Sequence, residues 1–103
     1  MSEAAIQAQI LNQIGSRPDV RLFRINVIAA RQGQRFIRSA PPGHPDLAGI
    51  LAPAGRAIYI EIKSATGRLS KQQARFRDMA RAMGALYILA RSVEDVSRAL
   101  DQD

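Results

Sequence analysis

A chain of 103 residues, with 47% apolar and 23% charged residues, has enough material for one packed domain with a single modest core and excludes both a disordered segment and a two-domain protein. The absence of cysteine and the presence of one histidine exclude disulfides, thiolate metal sites and a histidine-rich zinc site, so any metal would be a hard ion on carboxylates. The formal charge is +6, and thirteen of the fifteen basic residues are arginine, a bias that suits a polyanionic partner and is equally compatible with a solvated surface.

The elements follow in chain order. Residues 2–14 form an amphipathic helix, with Ser2 as N-cap, Ile6, Ile10, Leu11 and Ile14 at helical spacing, and Gly15 as terminator. Glu3 falls on the same line as Ile6, Ile10 and Ile14, which invites two readings: an acid favoured at the positive end of the helix dipole, or an acid facing a site. The run "VRLFRINVIAA" (20–30) reads as a strand, with Phe23, Ile25 and Val27 on one face and Arg24 and Asn26 on the other. "RFIRS" (35–39) is expected to pair with it as a hairpin. "APPGHP" (40–45) can enter neither a helix nor a ladder and delivers the chain extended into Asp46.

Residues 46–52 and 57–63 flank "PAGR" and read as a second antiparallel hairpin. A turn centred between Ala54 and Gly55 places Asp46 opposite Lys63 and diagonal to Glu61 on one face, with Ile58, Ile60 and Ile62 on the other. Diagonal neighbours are roughly 7–8 Å apart at the backbone, within reach of one shared ion. Residues 67–84 contain a helix with Ser70 as N-cap, Phe76, Met79, Ala80 and Met83 as its apolar stripe and Gly84 as C-cap; Gln73 stands where a capping box would use it. "ALYILARS" (85–92) is an apolar strand. "VEDVSRALDQ" is a final helix with Val93, Val96 and Leu100 inward. The order α-β-β-β-β-α-β-α gives an α/β fold with a mixed sheet, because the last strand follows a helical crossover.

Two carboxylates and a lysine on one sheet face are costly to desolvate unless a cation compensates them. Mg2+ prefers one or two carboxylates and keeps several waters, which Asp46 and Glu61 would provide, with Glu3 as a third or water-mediated contact. Lys63 would then hold a water or meet the charge developing on phosphorus, making phosphodiester hydrolysis the matching reaction class. A salt-bridged surface cluster is the competing reading of the same three residues.

"GHPDL", twelve intervening residues and "IEIK" match the Pro-Asp…Glu-x-Lys signature of PD-(D/E)XK nucleases, and "GRLSKQQARF" follows at once. With "SEAAIQAQIL" at the start and "RIN" in the first strand, the chain resembles a stand-alone VRR-NUC domain, the virus-type replication-repair nuclease module, from Ser2 to about Leu100. The resemblance implies a restriction-endonuclease-like fold of residues 1–103 and a Mg2+- or Mn2+-dependent endonuclease acting on DNA. It assigns the helix-1 glutamate to Glu3, the metal aspartate to Asp46, the second acid to Glu61, the lysine to Lys63 and the helix glutamine to Gln73. Gln7 is a weaker candidate behind Glu3, His44 reads as a loop residue or DNA contact, and the role of Asn26 stays open. Stand-alone relatives look like homodimers, which would suit branched DNA such as a four-way junction. Arg24, Arg35, Arg38, Arg75, Arg77 and Arg81 are the candidates for holding the phosphate backbone along one rim of the cleft. The rival expectation is a nuclease-fold accessory protein that binds DNA without cutting it. No apolar run approaches a membrane span, and the N-terminus lacks a signal-peptide pattern, which predicts a protein of the cytoplasm, in a bacterial cell or a phage-infected host.

Overall fold

The computed structural model describes residues 1–25, 29–32, 35–38 and 42–102, with backbone alone for 29–32 and 35–38. The elements run α1 (Glu3–Gln13), β1 (Val20–Arg24), β2 (Ala29–Gln32), β3 (Arg35–Arg38), β4 (Leu47–Leu51), β5 (Arg56–Ile62), α2 (Lys71–Ala82), β6 (Leu86–Ala90) and α3 (Val93–Asp101). Each helix starts where a serine can cap it. The side chains of Ser2, Ser70 and Ser92 accept from the backbone N–H three residues on, each removing one unsatisfied donor from a helix end.

β1, β4, β5 and β6 form one mixed sheet in that spatial order, antiparallel except for the parallel pair β5–β6 that the α2 crossover requires. Alternation in β5 sends Ile58, Ile60 and Ile62 to one face, where they are fully buried with Val20, Leu47, Leu51, Ile88 and Ala90. α1 and α3 cover this face with Ile6, Ile10, Ile14, Val93, Val96 and Leu100. At about 1.5–3 kcal/mol per fully buried aliphatic side chain, this is the main core. α2 covers the opposite face over β5 and β6 only, packing Phe76 and Ala80 against Tyr59, Ala85 and Tyr87; the Phe76 and Tyr59 rings meet edge to face at 5.1 Å.

Three expectations are corrected here. The run 20–30 is not one strand hairpinned to 35–39: its first half pairs with β4, and only Ala29–Gln32 pairs with Arg35–Arg38, in a separate two-stranded sheet. Gly49 on β4 makes that β1 pairing feasible, since a Cβ there would stand 2.1 Å from the Arg21 carbonyl oxygen. The inward residues of β1 are therefore Val20 and Leu22, across from Leu51 and Gly49, and Phe23 is 54% exposed. In α2, Phe76 and Ala80 are buried, but Met79 and Met83 are 47% and 80% exposed, because the helix overlies two strands and its methionines project toward the uncovered β4 side.

Candidate active site

The hairpin β4–β5 determines the geometry. Leu51 pairs with Arg56, leaving residues 52–55 as the turn, with Gly55 at φ +73° in its last position. The turn is thus centred between Pro53 and Ala54, not between Ala54 and Gly55. Leu47 pairs with Ile60, so the next step outward sets Asp46 opposite Glu61 and diagonal to Lys63, the reverse of the expected pairing. Parity is unchanged, so the three still share a face, and the two acids are closer than expected.

Asp46 is held from two sides. Its carbonyl oxygen accepts from Ile25 N at 2.9 Å, and its Oδ2 accepts from the backbone N–H of Ile62 at 2.8 Å. Glu61 is 3% exposed, the one charged side chain in the buried class among the described residues. Burial, a hydrogen bond to Asp46 and repulsion by Asp46 and Glu3 push its carboxyl up to about 8, with Lys63 acting in the other direction. Burial beside Asp46 thus favours the neutral, protonated form of Glu61 at neutral pH.

The two helices arrive as follows. Glu3, in the first turn of α1, stays on the line of Ile6 and Ile10 but is exposed, and its Oε2 accepts from Ser64 N at 3.2 Å, next to Lys63. Gln73 makes the capping box with Ser70: its Oε1 accepts from Ser70 N at 2.8 Å while Ser70 Oγ accepts from Gln73 N at 3.1 Å. The loop leading to Asp46 is pressed onto the same helix start. A Cβ on Gly43, which has φ +79°, would stand 2.3 Å from the Gln72 carbonyl oxygen and 2.8 Å from Gln73 N. The structure thus brings Asp46, Glu61, Lys63 and Glu3 into one electrostatic cluster and ties the α2 start to the loop before it. Among the described residues no group of three acids or histidines forms a ready-made metal cluster.

Other candidates are dispersed. Gln7 lines a cavity of about 150 Å3 with Ala4, Ala8, Leu11 and Arg24. Arg24 thus ends an edge strand beside α1, whereas Arg81 lies over the Tyr87 ring at the opposite edge, so the arginines do not share one rim. Arg75 is exposed and Arg77 is paired with Asp78 at 3.0 Å. Asn26 and the side chains of Arg35 and Arg38 lie outside the described residues, and His44 is half-buried in the loop before Pro45. Sequence reasoning passed over Gly43, Ser64 and Tyr87. Only Gly43 carried a signal, a glycine between prolines immediately before the aspartate.

The VRR-NUC domain family model matches residues 20–94, a span that includes Asp46, Glu61, Lys63 and Gln73. The chain belongs to the VRR-NUC family. A solved structure titled "VRR_NUC domain" is similar over 96% of this chain and 94% of its own, at 20% identity and a TM-score of 0.68, so the VRR-NUC fold extends through α1 as well. No curated protein sequence matches the chain. The VRR-NUC domain is a nuclease domain of the PD-(D/E)XK type, hence a hydrolase framework, and nucleases of this superfamily typically need a divalent metal. The sheet and its flanking helices are those of a restriction-endonuclease-like α/β fold. No helix among the described residues is long and apolar enough to cross a membrane.

Proposed function

We propose that residues 1–103 act as one metal-dependent DNA endonuclease, selective for branched DNA such as four-way junctions. The observation that carries this reading is the Asp46–Glu61 dyad. Two carboxylates face each other at the edge of the core, with one lysine beside them and Glu61 buried against Asp46. Carboxylate pairs are the donors a hard divalent cation takes, and Mg2+ or Mn2+ held by Asp46 and Glu61 would compensate both acids at once. The donor set therefore fits such an ion, with Asp46 and Glu61 as its ligands and Glu3 as an outer contact.

A bound ion would supply Lewis-acid polarisation of the phosphodiester and acidify a water. The chain's own residues do the rest. The Ile62 N–H fixes Asp46 Oδ2, which orients the remaining oxygen; Glu61 must release its proton before it can act as a ligand. Lys63 positions the attacking water or meets the charge that develops on phosphorus. Gln73, its Oε1 anchored by Ser70 N, keeps its amide nitrogen for donation into the cleft. Arg24, Arg35, Arg38, Arg75 and Arg77 contribute charge that attracts the DNA backbone.

The same reading includes a homodimer in the cytoplasm of a bacterial cell or a phage-infected host. Phe23 and Ile50, diagonal neighbours on the uncovered sheet face, continue into Ala57, Met79 and Met83 and offer an apolar surface that a second copy would cover. Sedimentation at micromolar concentration checks this.

The activity test is incubation with labelled four-way junction, flap, nicked and linear duplex DNA in Mg2+, Mn2+ or EDTA, alongside Glu61→Ala and Lys63→Ala. Metal-dependent cutting of the junction, lost in both variants, is the expected result. Binding with no cutting in either metal would favour the accessory protein instead.

A further inference from the structure

Between α2 and α3, the exposed edge of β6 forms the floor of a cavity of about 540 Å3 lined by Arg81, Tyr87, Leu89, Arg91, Asp95 and Arg98, among others. Ala90 directs its carbonyl to Lys63 N on β5. By strand alternation, the N–H and C=O groups of Tyr87 and Leu89 therefore point the other way, into this groove. Arg81, from α2, forms one wall, with its guanidinium 6.0 Å above the Tyr87 ring, and Arg98, from α3, stands opposite. Both are exposed.

An extended peptide could not run along this edge, because Arg91 N, the next outward group, already donates to Asp95 Oδ2 at 2.9 Å and closes the ladder. What remains is a polar floor with two guanidinium walls and one acid that is already engaged. Asp95 accepts from Arg91 N, Ser92 caps its N–H, and Arg98 lies 3.5 Å away. That composition suits phosphate oxygens, which accept from arginine forks and backbone N–H groups alike.

The groove also opens beside the acids. The Arg91 guanidinium donates to the Ser64 carbonyl, and Ser64 N holds Glu3. From Arg91 back to Tyr87 is four residues of strand, about 13 Å, or several nucleotides at about 3.4 Å of rise each.

We infer that the β6-edge groove binds the phosphodiester backbone of the nucleic-acid strand leaving the Asp46–Glu61 site, with Arg81 and Arg98 as its phosphate clamps. This rests on the nuclease reading above and extends it to a defined track, on the edge opposite β1.

The test is fluorescence anisotropy of a labelled four-way junction and a linear duplex with the whole protein in EDTA, titrated with KCl. Wild type is compared with the double variant Arg81→Gln/Arg98→Gln and with Arg21→Gln, an arginine on β1 at the other edge of the sheet. The double variant should bind at least about tenfold more weakly, and its slope of log affinity against log salt should fall by nearly two, about 0.9 per lost phosphate contact. Arg21→Gln should stay within about twofold of wild type with an unchanged slope. If the double variant binds like Arg21→Gln while wild type binds and cuts, the groove assignment is overturned and the nuclease reading stands. If wild type neither binds nor cuts DNA, both fall together.

Discussion

Replacing Glu61 by glutamine should make the metal-free protein more stable, and the gain should depend on pH. The folded carboxyl titrates at about 8, against an ordinary value of 4.5 for the unfolded chain. Between these values the unfolded glutamate is ionised while the folded one keeps its proton, so folding takes up a proton and stability falls as pH rises. The contribution is fully present below pH 4.5 and gone once pH has passed about 8. At roughly 1.4 kcal/mol per pH unit, the interval corresponds to something on the order of 3–5 kcal/mol, a large share of the ~5–15 kcal/mol that holds a typical domain together. Glu61→Gln keeps the shape and a neutral N–H donor toward Asp46 but removes the titration. Urea denaturation in EDTA at pH 5, 6, 7, 8 and 9 reads the difference between variant and wild type, in which the other titrating groups cancel. It should be near zero at pH 5 and reach several kcal/mol by pH 9. A difference that stays flat within about 0.5 kcal/mol would refute the raised titration of Glu61. Adding Mg2+ at pH 8 should restore wild type and leave the variant unchanged, because only the wild-type pair can exchange its proton for the ion.

Gly43→Ala should cost more than the ~1–2 kcal/mol of a left-handed alanine, because its Cβ meets the Gln72 backbone as well, and should depress cutting with it; a variant with wild-type melting and activity would show that the loop does not need that contact. Tyr87→Phe removes a buried hydroxyl that has no hydrogen-bond partner among the described residues and that burial pushes up to about 12, so it should stabilise by about 1 kcal/mol in denaturant unfolding, and a loss of more than 1 kcal/mol would mean the hydroxyl is satisfied. Ile60→Ala, at a side chain with 0% exposure in the middle of the sheet, should cost about 2–5 kcal/mol; a cost below 1 would contradict the close packing of that face. Ser70→Ala should lower stability by about 1 kcal/mol, because Gln73 N loses its acceptor, and should leave the cleavage rate near wild type, because the Ser70 backbone N–H that anchors Gln73 Oε1 remains; thermal melts and cleavage rates measured together check the separation.

The sequence made the fold legible wherever local patterning and tertiary demand coincided. Ile58, Ile60 and Ile62 alternate as a half-buried strand must, Val93, Val96 and Leu100 line one side of α3, and Ser2 and Ser70 mark two helix starts, while the Ser92 cap of α3 was read as the end of the preceding strand. It misled where a neighbour in space decided the outcome. The run 20–30 has uniform strand chemistry, and nothing local shows that its first half would leave residues 35–39 for β4; the side-chain-free surface at Gly49, distant in sequence, allows it. Met79 and Met83 look like core residues by spacing, but α2 spans only two strands. At the site, the residue types and the shared face of Asp46, Glu61 and Lys63 were readable from the period of two. Which residue opposes which was not, because a one-residue displacement of the turn centre changes every partner without changing the face. The contribution of Ser64 was invisible, since it acts through its backbone N–H and any residue type could supply one.

The Glu3–Ser64 hydrogen bond joins groups 61 positions apart in the chain. α1 is the part of the fold that carries Glu3, and it rests on the sheet through Ile6, Ile10 and Ile14. A fluctuation that lifts this one helix, leaving the four-stranded sheet paired, therefore strips the acid cluster of its N-terminal member while Asp46 and Glu61 keep their register. Local opening of α1 requires less free energy than global unfolding. With Glu3 in its proposed role, the integrity of the site depends on the detachment of this eleven-residue helix, and amide exchange at Ile6 and Ile10 is a closer gauge of the competent fraction than the melting temperature of the whole.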